Sequence, residues 1–126
     1  SLVAGHRLAA VTGARRAQRE AAKEAVVHYL RALERQDYRR AYGSLSEQSK
    51  RAHSYREFAR LAGEGGPMYD LEAIHQVRAG VGGKLTVTVP MVEDPAVGIF
   101  TLVSEGGSWR IVFVEGLPAA PYPSEQ

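Results

Sequence analysis

Between Ala14 and Gln36 apolar residues recur at three- and four-residue spacing. Ala22, Ala25, Val26, Tyr29, Leu30 and Leu33 therefore share one helix face, with Arg, Lys and Glu filling the remainder. No proline interrupts, so the spacing predicts a long amphipathic first helix. Asp37 offers an N-cap to a shorter second helix carrying Tyr38, Ala41, Tyr42 and Leu45. The polar stretch Ser46 to Arg51 reads as a loop or frayed turn. Ser54-Tyr55-Arg56-Glu57 has the spacing of a capping box, and a third helix follows with Tyr55, Phe58, Ala59, Leu61 and Ala62 inward. Gly63 is expected to cap it in the left-handed conformation.

Beyond Pro67 the period changes from helical to two. Tyr69, Leu71, Ala73, His75 and Val77 alternate with polar neighbours, Ile74 being the exception, and predict a first strand. Leu85 to Met91, Ile99 to Ser104 and Trp109 to Glu115 predict three more, with turns at Gly80 to Gly83, Glu93-Asp94-Pro95 and Gly106-Gly107. Three N-terminal helices on a curved four-stranded antiparallel sheet make a segregated α+β domain. The expected division is a frayed segment or the stump of a removed signal or anchor over 1–13, one domain over 14–116, and an irregular proline-rich tail over 117–126. The expected core is Val26, Tyr29, Leu30, Leu33, Tyr42, Leu45, Phe58, Leu61, Val87, Val89, Phe100, Leu102, Trp109, Ile111 and Phe113, with Trp109 as its most sensitive position.

The 126 residues suit a single domain, and 44% hydrophobic with 24% charged residues argues against wholesale disorder. The absence of cysteine removes disulfides, thiolate metal sites and a cysteine nucleophile, yet leaves the compartment open. The opening apolar stretch is broken by His6 and Arg7, too short for the ~20 residues of a spanning helix. Residues 1–60 carry a net charge of +7 and residues 61–126 one of −5. A basic half could face anionic lipid, nucleic acid or an acidic partner. Interleaved acids favour solvated helices instead.

Val26-x-x-Tyr29-Leu30-x-x-Leu33, the Asp37-Tyr38-x-x-Ala41-Tyr42 step and Gly107-Ser108-Trp109-Arg110-Ile111 together resemble the nuclear transport factor two-like superfamily, with its cystatin-like cone. The likeness spans roughly Ala17 to Glu115 and is greatest to small bacterial extracytoplasmic or lipoprotein-type domains of unassigned function. Such a fold hosts sites independently of its architecture. Enzymes of the superfamily place an Asp or a His–Asp pair in the cone. Here strand alternation puts His75 on the face opposite Asp70 and Glu72, so no dyad forms within the strand. No catalytic residue is expected, and no cofactor.

The histidines His6, His28, His53 and His75 fall in separate segments without helical i, i+4 pairing, so no metal site is expected. The glycine clusters match no phosphate-binding spacing and serve turns. Candidates to line a pocket are Tyr29, Tyr42, Tyr69 and His75. Nucleic acid is set aside, because the strand half is acidic and offers no aromatic platform.

The sheet's second face would carry Val92, Ile99, Val103, Val112 and Val114, more aliphatic than a face open to water. Members of the resembled superfamily commonly pair through this surface, which implies a homodimer. The competing expectation is that the N-terminal segment or the proline-rich tail covers it.

The resemblance implies a non-catalytic accessory or interaction domain of a bacterial envelope protein, extracytoplasmic or membrane-anchored, with a protein partner there; a cytoplasmic location is the alternative. A binder of small apolar ligands, or an isomerase- or dehydratase-type enzyme using the cone, is the second reading. A periplasmic scaffold domain of a secretion system is the third. A cone filled by side chains would argue against the second.

Overall fold

Helix α1 (Leu2–Glu34) buries Ala22, Val26, Tyr29, Leu30 and Leu33 of the stripe that the spacing predicts, while Ala25 is half-buried against it. The computed structural model describes residues 2–113, with side chains described from Gly13 onward except that of Asp94. Val114 and the tail over 117–126 lie outside the described residues. Helical backbone begins at Leu2 rather than near Ala14. The extension holds three alanines and two leucines, which favour helix, and no proline to stop it.

The end of α1 is a tight corner. Gln36 takes a left-handed φ of 60°, its amide bonding Leu33 O at 3.0 Å while that of Asp37 reaches back to Ala32 O at 2.9 Å. These paired bonds satisfy carbonyls that the last turn would leave open. Asp37 then starts helix α2 (Tyr38–Gly43), its Oδ1 accepting from Arg40 N at 3.2 Å.

The stretch expected as a loop is helix α3 (Glu47–Ala52). Ser46 caps it, Oγ accepting from Ser49 N at 3.1 Å, and Glu47 lies in the first turn where a negative charge is favoured. There are thus four helices before the sheet, one more than expected. Helix α4 (Tyr55–Gly63) begins at Ser54, whose Oγ accepts from Glu57 N at 3.2 Å. Gly63 remains within the helix, and the left-handed position falls two residues later, at Gly65 with φ 88°.

The sheet is an antiparallel meander in the order β1-β2-β3-β4, formed by β1 (Gln76–Ala79), β2 (Leu85–Met91), β3 (Asp94–Glu105) and β4 (Ser108–Val112). The turn between β2 and β3 is Val92-Glu93, with Glu93 at φ 57°, so Pro95 belongs to the strand and not to the turn. A register shift between Pro90 and Met91 leaves an irregularity in the ladder where proline has no amide to give. Val87, Val89, Phe100, Leu102 and Ile111 lie on the face under the helices and are buried. Of the expected core, Tyr42, Leu61, Trp109 and Phe113 are only half-buried.

The edge of β4 is not open. Leu45 forms a parallel bridge to Ile111, with Ser46 N donating to Ile111 O at 2.8 Å and Ile111 N to Ser44 O at 2.9 Å. Arg110 Nη1 adds a bond to Gly43 O at 2.7 Å, and Phe113 N one to Ser49 Oγ at 3.2 Å. The helix connection therefore straps one side of the sheet, which blunts that edge against other chains.

Candidate interaction surface and the filled interior

The first strand departs most from expectation, and the candidate site moves with it. Tyr69 bridges to Met91 and Gln76 pairs with Thr88, so seven steps along one strand oppose three along the other. The excess is taken up by a single 3₁₀ turn over Leu71–Ala73, capped by Asp70 Oδ1 accepting from Glu72 N at 3.2 Å. This excursion resets the side-chain phase. Ile74, the exception to the alternation, is the residue that enters the core, while His75 is exposed. His75 Nδ1 lies 2.8 Å from Ala73 O, a local contact outside any strand. The assignment of His75 to an inward strand face, shared with Tyr69 and Leu71, is thereby overturned.

Two of the four pocket candidates pack on a common ring, Phe100. The buried ring of Tyr29 packs edge-on to Phe100 at 6.3 Å and tilted to Phe58 at 6.5 Å, and the buried Tyr69 meets Phe100 at 5.8 Å. Half-buried Tyr42 joins from the side, 5.4 Å from Phe58 and 5.6 Å from Tyr55. Its hydroxyl donates to His53 O at 2.6 Å, with Lys50 O at 3.1 Å as a second acceptor, so it fastens the end of α3. Edge-to-face rings of this kind pack the interior between α1, α4 and the sheet. Besides tyrosines, the buried polar side chains among the described residues are Ser46 and Ser49, whose hydroxyls are 2.9 Å apart. No described carboxylate, histidine, lysine or arginine is buried.

Among the described residues, clefts open at two places on the surface. One, of about 500 Å³, runs along the outside of α1 past Glu24, His28, Arg31 and Arg35 to Asp37 and Arg40, with charges of both signs. The other, of about 330 Å³, lies between Leu30 and Leu33 of α1 and the Gly65–Tyr69 segment. Met68 beside it is 71% exposed. Of the pocket candidates, only Tyr69 lines it. Among the described residues no group of three His, Asp or Glu side chains is placed to hold a metal ion.

The outer face of the sheet gathers three of the five interface candidates. Ladder pairing sets Arg78, Thr86, Thr101 and Val112 in one cross-strand row, with Gln76, Thr88 and Ile99 in a second. Val103 opposite Arg110 and Val97 opposite Pro90 complete it. Ile99, Val103 and Val112 are half-buried and are not among the side chains packed on the core. Val92 does not belong with them, since it stands in the β2–β3 turn, 40% exposed beside Met68. Val114 lies outside the described residues. Sequence reasoning missed Val97, although its spacing of two from Ile99 was a usable signal once β3 is extended to Asp94.

The centre of this face (Thr86, Thr88, Ile99, Thr101) is uncharged. Arg78 lies on the β1 edge and Arg110 on the opposite, β4 edge. Comparison with protein-family models, with curated proteins and with solved structures gave no match. Among the described residues no helix is long and apolar enough to cross a membrane.

Proposed function

We propose that the chain is a non-catalytic interaction domain of a bacterial envelope-associated protein, on a nuclear transport factor two-like fold, and that it pairs with a second copy through the outer face of its sheet. The observation that carries the reading is the contrast between the two sheet faces. The inner face closes on Tyr29, Phe58, Phe100 and Leu102, all at most 2% exposed, and among the described residues no carboxylate, histidine, lysine or arginine is buried with them. General acid–base chemistry most often uses a histidine, a carboxylate or a lysine within reach of a bound substrate. The outer face instead presents half-buried Val97, Ile99, Val103 and Val112 among threonines.

A second copy suits that face better than a charged partner does. A two-fold contact sets the same patch against itself, so like charges at its centre would repel. Here the centre is neutral and the arginines lie toward opposite edges. Light scattering at micromolar concentration should return a dimer for the parent. Val112→Lys and Ile99→Lys should each give a monomer with an unchanged far-ultraviolet spectrum. A monomeric parent would overturn the pairing.

A specific observation also favours a second reading, a binder of small apolar groups. The 330 Å³ cleft falls in the size range of ligand pockets and is lined by Leu30, Leu33, Pro67, Met68 and Tyr69. Chemical-shift changes confined to Gly65, Gly66 and Leu33 on adding a short alkyl alcohol would support it.

A further inference from the structure

Helix α1 changes character along its length. Its sheet-facing stripe reads Leu33, Leu30, Val26 and Ala22 going toward the N-terminus, all buried. Continued by the same three- and four-residue steps, the stripe reaches Arg19 and then Arg15, both exposed. Every described residue from Gly13 to Ala21 is exposed, so this part of the helix stands beyond the body of the domain. Arg16 and Lys23 flank the stripe at helical spacing. The first acid in the sequence is Glu20, a turn after Arg16, and no described carboxylate forms an ion pair with Arg15, Arg16 or Arg19.

We infer that this projecting segment is a docking surface for an anionic phospholipid membrane. Charge complementarity carries the inference: residues 1–19 hold four arginines and no Asp or Glu. Basic segments of this kind are drawn to acidic headgroups. The same stretch includes Leu2, Val3, Leu8 and Val11 in its sequence, an apolar share that the headgroup boundary accommodates and a polyanion in water does not use. Nucleic acid is the competing polyanion. No Phe, Trp or Tyr precedes Tyr29, so the segment has no ring on which a base could stack.

The test is co-sedimentation of the 126-residue chain with vesicles of phosphatidylcholine containing phosphatidylglycerol, against phosphatidylcholine alone. Each base near an acidic surface contributes about fivefold in affinity. Arg15→Glu/Arg16→Glu/Arg19→Glu should therefore weaken binding about a hundredfold or more, and ~0.5 M salt should release the parent. These side chains are exposed, so the variant should melt with the parent. It should also scatter as the same oligomer, which keeps this result separate from the pairing through the sheet. Equal binding to neutral vesicles, no binding to acidic ones, or a variant that binds like the parent would each overturn the inference. So would tighter binding to duplex DNA than to acidic vesicles at the same salt.

Discussion

Phe100 receives Tyr29 and Tyr69 edge-on at 6.3 and 5.8 Å, which makes it the residue where α1, the Tyr69 bridge and the middle of the sheet come together. It is 1% exposed, whereas Trp109 is half-buried on the same sheet face. Emptying a site that cannot collapse costs more than trimming one at the rim. Phe100→Ala should therefore lower stability by ~3–5 kcal/mol in urea denaturation, and Trp109→Ala by clearly less. Equal losses would move the centre of the core toward β4. The two serine caps should also separate. Ser54→Ala removes one exposed cap bond and should cost ~0.5–2 kcal/mol. Ser46→Ala should cost more, because it also removes one of the two partners of the buried Ser49 hydroxyl, leaving Phe113 N as the other. A smaller effect at Ser46 than at Ser54 would count against the strap on β4.

At the scale of elements, helices were easier to read than strands because helix signals are local. The α1 stripe, the Asp37 cap and the Ser54 cap stand in the sequence at fixed spacing, and each is present. Helix α3 escaped because its six residues, Glu47 to Ala52, hold almost nothing apolar; the Ser46-Glu47 start was its one readable sign. Strand β1 misled for a different reason. Alternation is informative only while the strand is unbroken, and the 3₁₀ turn at Leu71–Ala73 shifted the phase so that Ile74 went inward and His75 outward. That one slip also decided the candidate site. Tyr29 and Tyr69 converge as interior rings, but His75 has no place among them. The end of α1 was unreadable in a third way, since Gln36 occupies a left-handed position where glycine is the usual signal. Gln36→Gly should relieve that conformation and raise stability by about 0.5–1 kcal/mol, read as a higher denaturation midpoint. A lower midpoint would mean that the Gln36 side chain contributes more than its backbone strain costs.

Over the whole molecule, charge and packing divide along α1. The 33-residue helix is roughly 50 Å long, yet its first fully buried residue among those described is Ala22. A helical segment without tertiary cover is only marginally stable in water, while the Val26–Leu33 part shares the stability of the core. Hydrogen exchange should accordingly show a step within one continuous helix. Amides from Gly13 to Glu20 should exchange well before those from Val26 to Leu33, although both stretches are helical. Trypsin offers a second view of the same boundary. Lys84 follows the β1–β2 turn and Arg78 is exposed in β1, but Arg78 is paired in the ladder with Thr86 and Lys84 O accepts from Gly80 N at 2.7 Å. Arg15, Arg16 and Arg19 are exposed on the helix and make no ion pair with a described carboxylate. Limited proteolysis followed by mass spectrometry should therefore find its first cuts before Ala21, leaving a folded fragment that retains all of α2 to β4. First cuts at Arg78 or Lys84 would show that the sheet edge opens before the projecting helix does, and would place the weak point of the fold at β1.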